Sequence, residues 1–214
     1  MIYNLFKSGD ADMIFFISDT HFGHKNTIKY CNRPYQSVEE MDEDMIERWN
    51  RKVSESDTVY ILGDFVWNKG SLKYYAERLN GAKVLSIGNH DESWTLVKDH
   101  PNFSYFKEVS DYRIERIGER SATLCHYPMV EWRNSRDDDA PEMGYLIHGH
   151  IHNNYSDEYR CVMRKRNALN ASAEINNFEP VTFEELIRNN MRFKLSILSE
   201  EDKAYLLKSY CDDM

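Results

Sequence analysis

Short apolar runs that stop abruptly at metal- or phosphate-binding residue types recur along the chain. Met13 to Ser18 (MIFFIS) runs into Asp19, Thr58 to Leu62 (TVYIL) into Gly63-Asp64, and Lys83 to Ile87 (KVLSI) into Gly88-Asn89-His90-Asp91. Further on, Ser121 to Cys125 (SATLC) meets His126, and Tyr145 to Ile147 (YLI) meets His148-Gly149-His150. Runs of this length, rich in β-branched and aromatic residues, predict buried strands. Between the first three lie helical patterns. Ser37 and Glu40 have the form of a capping box, after which Met41, Met45, Trp49 and Val53 fall on one face. Ser71 to Leu79, closed by Asn80-Gly81, predicts a second helix with a stop signal. Thr182 with Glu185 opens a third, and Ser199 to Tyr210 reads as a terminal one. Strand and helix alternate as in parallel α/β structure, with more strands and fewer helices in the second half. Ligands of open α/β sheets collect beyond the carboxyl ends of the strands, so five distant segments can build one site.

A chain of 214 residues suits one domain, residues 1–214, with one sizeable core. Its 41% hydrophobic and 29% charged residues are those of a soluble globular protein, which sets aside disordered and membrane classes. The net charge of -9 argues against affinity for nucleic acid through a general positive blanket, so stable nucleic-acid binding is not expected. The one basic run, with Arg160, Arg164, Lys165 and Arg166, reads as a solvated face. Cys31, Cys125, Cys161 and Cys211 have neither zinc-knuckle nor redox spacing, which fits reduced thiols in a cytoplasmic protein. Asn4, Lys7 and two aspartates interrupt the first dozen residues, so no signal peptide is expected, and no apolar stretch is long enough to span a membrane.

Each polar cluster has a bland reading of its own. Asp19-Thr20-His21 places a carboxylate and an imidazole two apart after a strand, where both can reach one metal, although an isolated Asp-x-His is more often a capped loop. His150-Ile151-His152 repeats the geometry, and the preceding Gly149 allows close backbone approach. Gly63-Asp64 offers a carboxylate able to bridge two ions, or simply an Asp turn. Gly88-Asn89-His90-Asp91 lines up a neutral oxygen donor, an imidazole and a carboxylate. His24 faces either a pocket or a surface loop, His148 reads as packing behind the site, and His100 as a surface residue. Trp67, Trp94 and Trp132 follow three of the motifs and either line a pocket or close the core.

Taken together, Asp-x-His, Gly-Asp, Gly-Asn-His-Asp, His126 and Gly-His-x-His resemble, in order and spacing over Met13 to Asn153, the calcineurin-like metallophosphoesterases. The wording DTHFGHKNTIKYCNRP, HYPMVEW and HGHIHNN resembles a bacterial or phage branch of uncharacterised phosphoesterases. The resemblance implies a four-layer α/β/β/α sandwich with two mixed β-sheets. It implies one divalent ion on Asp19, His21, Asp64 and His152, a second on Asp64, Asn89, His126 and His150, and Asp64 as the bridge. Oxygen and nitrogen donors suit Mn, Fe or Zn, with Mn favoured. Two divalent ions outweigh two aspartates, so even an acidic protein would present an attractive hole to phosphate. The implied reaction is attack of a metal-bound hydroxide on phosphorus, with His90 assisting the leaving oxygen and Asp91 orienting His90. In the related phosphoprotein phosphatases an arginine follows the Gly-Asp motif, whereas here the chain continues Phe65-Val66-Trp67-Asn68-Lys69. A phosphodiester or phosphomonoester of a small metabolite or nucleotide is therefore the expected substrate. The alternatives are a nuclease, disfavoured by the acidic balance, and a non-catalytic scaffold, disfavoured by the complete ligand set.

Overall fold

The computed structural model describes residues 12–91, 101–135 and 144–211. Four strands, β1 (Ile14–Ile17), β2 (Thr58–Ile61), β3 (Ala82–Ser86) and β4 (Glu108–Ser110), form one sheet in that order, all pairing in parallel. The antiparallel element at this sheet is a single bridge between Phe16 and Val181. The second sheet is mixed: β5 (Tyr112–Ile117) lies antiparallel to β6 (Arg120–Cys125), which runs parallel to β7 (Tyr145–His148), itself parallel to β8 (Ala168–Asn170).

Alternation along β1 explains how the layers stack. Phe15 and Ile17 point to one face and pack with Met41, Met45 and Trp49 of α1 (Val38–Lys52) and Leu72 and Tyr75 of α2 (Leu72–Ala76). Phe16 points the other way and joins Leu124, Ile147 and Leu169 of the second sheet, along with Phe183 and Leu186 of a later helix (Phe183–Ile197). On the far side of the second sheet, Leu146 packs with Trp132 and with Val162 of a short helix, Arg160–Met163. The order is thus helices, sheet, sheet, helices. Each fully buried aliphatic or phenyl side chain in these layers contributes roughly 1.5–3 kcal/mol.

The expected helices form, with two local differences. Ser37 accepts from the Glu40 amide at 3.1 Å, but the Glu40 carboxylate returns to Gln36 N at 2.8 Å rather than to Ser37, so the box there is half closed. At Thr182 and Glu185 both reciprocal bonds are present. The helix expected to reach Leu79 stops at Ala76, because Arg78 N bonds Tyr75 O in a tightened turn and Asn80 N is taken by Asn50 Oδ1 at 2.9 Å. The terminal helix spans Glu200–Cys211. Among the described residues no helix is long and apolar enough to cross a membrane. Trp94 and His100 lie outside the described residues.

The basic run is tied down by the terminal helix. Arg160 Nε lies 2.8 Å from Asp202 Oδ2, Arg164 stacks on Tyr205, and Lys165 lies over Trp132.

Candidate metal centre

The polar clusters follow the carboxyl ends of β1, β2, β3, β6 and β7, and backbone bonds lock their loops together. Asp19 N donates to Gly63 O at 3.0 Å, His21 N to Asp64 O at 3.0 Å and Phe22 N to Phe65 O at 3.1 Å, so the pairing of β1 with β2 continues into the loops. Ser18 N bonds Ala171 O at 2.9 Å, which stitches the second sheet to the end of β1. Two glycines permit the crowding. A Cβ on Gly149 would fall on Ser18 Oγ and Asp19 Oδ2, and one on Gly88 would fall on Asp64 Oδ1.

Of nine described non-glycine residues with positive φ, five are Asp19, His21, Asp64, His150 and His152. Left-handed backbone costs such residues about 1–3 kcal/mol each and persists where surroundings enforce it, typically at functional sites. Here it turns successive ligand types inward.

Among the described residues the side chains converge in four overlapping groups, two of which share Asp19. In the first, donor atoms of Asp19, His21 and His152 lie within 4.8 Å of one another, with His152 Nε2 at 3.8 Å from Asp19 Oδ1. The second joins Asp19, Asp64 and His126 within the same limit, and Asn89 Oδ1 stands 3.1 Å from both His126 Nε2 and His150 Nδ1. Asp64 Oδ2 sits between the groups, 3.5 Å from His21 Nε2 and 3.6 Å from His126 Nε2. Buried carboxylates facing imidazole nitrogens at these separations are too far for direct hydrogen bonds and suit a cation between them. His21 Nδ1 is buried with no hydrogen-bond partner, a further sign that this donor set fits metal.

Neighbouring groups choose the free nitrogens. His126 Nδ1 lies 2.8 Å from Leu62 O, so it carries the proton and leaves Nε2 as the donor to a cation. His152 Nδ1 lies 3.1 Å from Glu174 Oε1 with the same consequence. Burial and the neighbouring His152 lower the His21 pKa well below 6.5, which keeps that imidazole neutral. Burial opposes charge on His152, but Cys31, Glu174 and Asp19 outweigh it and carry its pKa up to about 11. That ring attracts positive charge at Nε2, as a proton or as a metal.

Glu174 and Arg33 were not singled out by sequence pattern. Arg33 is 4% exposed, pairs with Glu174 at 2.7 Å, and donates to Asp19 O at 2.6 Å and Thr20 O at 2.9 Å. Burial disfavours the Glu174 carboxylate, yet Arg33 and His152 hold its pKa at about 2. The pair therefore fixes both the Asp19 backbone and the His152 ring. Glu174→Gln is expected to weaken metal binding about 10- to 100-fold, as loss of such a supporting partner typically does. It should also lower stability by about 3 kcal/mol by weakening a buried pair. Metal titration and urea unfolding read the two effects, and wild-type values in both would remove Glu174 from the site.

His90 projects from this floor into solvent, half-buried, with Nε2 3.9 Å from Asp64 Oδ2. Burial, then the nearby His126, lowers its pKa. The Asp91 carboxylate accepts from Asp64 N at 2.7 Å, Phe65 N at 3.2 Å and Gly88 N at 3.0 Å. These bonds make it an anchor joining the Gly-Asp and Gly-Asn-His-Asp loops. Burial pushes its carboxyl up to about 7. His24 is buried and stacks on Trp67, whereas His148 is buried behind His150 with Nδ1 2.9 Å from Gly149 O. Trp132 closes the core, donating to Gly144 O at 2.8 Å.

Known proteins are similar to this chain in sequence and in structure. A protein of Methanocaldococcus jannaschii described as uncharacterised is 37% identical over 178 residues, covering 82% of this chain and 89% of that one. The Gene 66 protein of Mycobacterium phage L5 is 32% identical over 165 residues, covering 64% of this chain and 76% of its own. A solved structure of a protein of unknown function from Aquifex aeolicus superposes with a TM-score of 0.62 at 27% identity, covering 83% of this chain and 99% of that chain. Residues 13–170, which contain every clustered donor except Glu174, match the family model of the calcineurin-like phosphoesterase superfamily domain. With its motifs, two-sheet architecture and metal-ligand groups in agreement with that match, the chain belongs to the calcineurin-like phosphoesterase superfamily, a metal-dependent family.

Proposed function

We propose that this protein hydrolyses phosphodiester or phosphomonoester bonds of a small metabolite or nucleotide, using two divalent ions, with manganese favoured. The observation that carries the reading is the place of Asp64 Oδ2, nearly equidistant from His21 Nε2 and His126 Nε2. A single oxygen there can serve both half-sites. Asp19, His21 and His152 would complete one of them and Asn89, His126 and His150 the other. Bound there, two ions would supply Lewis acidity toward the phosphoryl oxygens and acidify the attacking water.

The protein's own groups do the rest. Ser18 and Ser172 donate to Asp19 Oδ2 at 2.5 and 2.8 Å, and His150 N approaches both Asp19 oxygens, which fixes that carboxylate before any ligand arrives. Asp64 Oδ1 accepts from His90 N at 2.9 Å, so the bridge and the candidate acid are held in one frame. His90 stands at the solvent side, where it would pass a proton from its ring to the departing oxygen. Cys31, Cys125 and Cys161 are free thiols, which fits a reducing, cytoplasmic setting.

The manganese-loaded protein, assayed against monoesters, linear and cyclic diesters and nucleotides, is expected to hydrolyse at least one class. That activity should disappear with chelator and persist in dithiothreitol. Absence of hydrolysis across the panel would overturn the proposal.

A further inference from the structure

Beside His90 lies a cavity of about 320 Å³ whose walls include His21, His24, Tyr30, Trp67, His90 and Asn154. It opens from the metal side of the site into two aromatic side chains left largely in solvent, Trp67 at 46% and Tyr30 at 69% exposure. Trp67 is nevertheless held in place. Its ring stacks on His24 at 3.6 Å between centroids and 7° between planes, and His24 Nδ1 lies 2.5 Å from Thr27 Oγ1. A second imidazole, His90, stands 5.0 Å from the same indole. The result is a braced, flat platform whose cost in side-chain ordering is met by the fold before a ligand binds.

We propose that this cavity receives the leaving group of the phosphoester, and that the leaving group carries a flat heteroaromatic ring, the chemistry of a nucleoside. The inference rests on the phosphoesterase reading, in which His90 protonates the departing oxygen. Whatever lies beyond His90 is then the group that departs. Trp67 offers such a ring a stacking face, and every nucleobase has one. Asn26 and Asn154 also border the cavity, and their side-chain amides bring donors and acceptors suited to the ring's edge. None of the described residues lining the cavity is a lysine or arginine, so the group accommodated is a neutral nucleoside rather than one bearing further phosphates.

Two 5-phosphate esters whose leaving alcohols differ in carrying a base or not test this, adenosine 5′-phosphate against ribose 5-phosphate, or their methyl diesters if the enzyme is a diesterase. Wild-type kcat/KM should favour the base-bearing ester by roughly 5- to 150-fold, the range that stacking of one base contributes. Trp67→Ala should bring that ratio close to one, and Trp67→Phe should retain much of it. Equal kcat/KM for the two esters in the wild type, or a ratio unmoved by Trp67→Ala, would overturn the proposal while leaving the phosphoesterase reading intact. If no ester is hydrolysed, that reading fails, and the cavity is judged by fluorescence of the manganese-loaded protein. Quenching by adenosine, absent with ribose and lost in Trp67→Phe, supports the site, and no such quenching overturns it. The same titration covers the case in which Trp67→Ala does not fold.

Discussion

Asp64→Asn is expected to lower phosphoester hydrolysis by about 10³-fold or more and to weaken both metal positions together. The carboxylate is 2% exposed, its Oδ2 faces His21 and His126, and its Oδ1 accepts from His90 N. Asparagine keeps the shape and removes the shared charge, so each ion would lose an anionic donor in a buried setting where charge is poorly screened. Several kcal/mol of transition-state stabilisation depend on such ions, and each 1.36 kcal/mol is tenfold in rate. Metal analysis and steady-state rates of the purified variant measure both effects. Loss of one ion with the other bound as in wild type would show that Asp64 is a terminal ligand and not a bridge.

The second large effect separates His90 from the metal ligands. His90→Ala should retain metal near the wild-type amount yet lose about 10² to 10⁴ in rate on an alkyl phosphoester, the usual worth of a positioned acid. On a nitrophenyl ester, whose anion leaves without a proton, the loss should be much smaller. The pH dependence has a definite sign. Burial and His126 lower the His90 pKa, so its protonated fraction is already declining below pH 6.5 and falls further as pH rises. The gap in kcat/KM between wild type and His90→Ala on the alkyl ester should therefore narrow toward alkaline pH. Equal losses on both esters would assign His90 to the phosphoryl group instead, and loss of an ion would place it among the ligands, a role its 3.9 Å approach to Asp64 permits.

Five of the eight strands among the described residues were legible because each apolar run ends in a polar cluster. Strand β5 was not, for a physical reason. Its sequence YRIERI alternates, but the pattern is inverted: Ile114 is exposed while Arg113 and Glu115 are partly covered and pair with each other at 3.3 Å. Among the described residues it is an edge strand paired with β6, and charge on such a strand discourages further pairing, which removes the usual hydrophobic signal. Strand β8, with three residues, is too short to show a period.

The candidate donors Asp19, His21, Asp64, Asn89, His126, His150 and His152 announced themselves as polar residues at strand ends, and the structure gathers them on one floor. Their support did not. Arg33 and Glu174 are 141 positions apart, and nothing local couples a loop arginine to a carboxylate in a turn. The hint available was chemical: Glu174 sits within the apolar stretch Ala171-Ser172-Ala173-Glu174-Ile175, where a carboxylate needs a buried partner. The anchoring bonds of Asp91 were hidden for a related reason, since they run to backbone amides brought near only by folding.

Metal titration of the purified chain, followed by elemental analysis after removal of free ion, tests the two-ion centre most directly. Uptake of two equivalents of manganese per chain is expected, with both lost from Asp64→Asn under conditions that leave the wild type loaded. Binding that saturates at one equivalent would contradict the shared-carboxylate site.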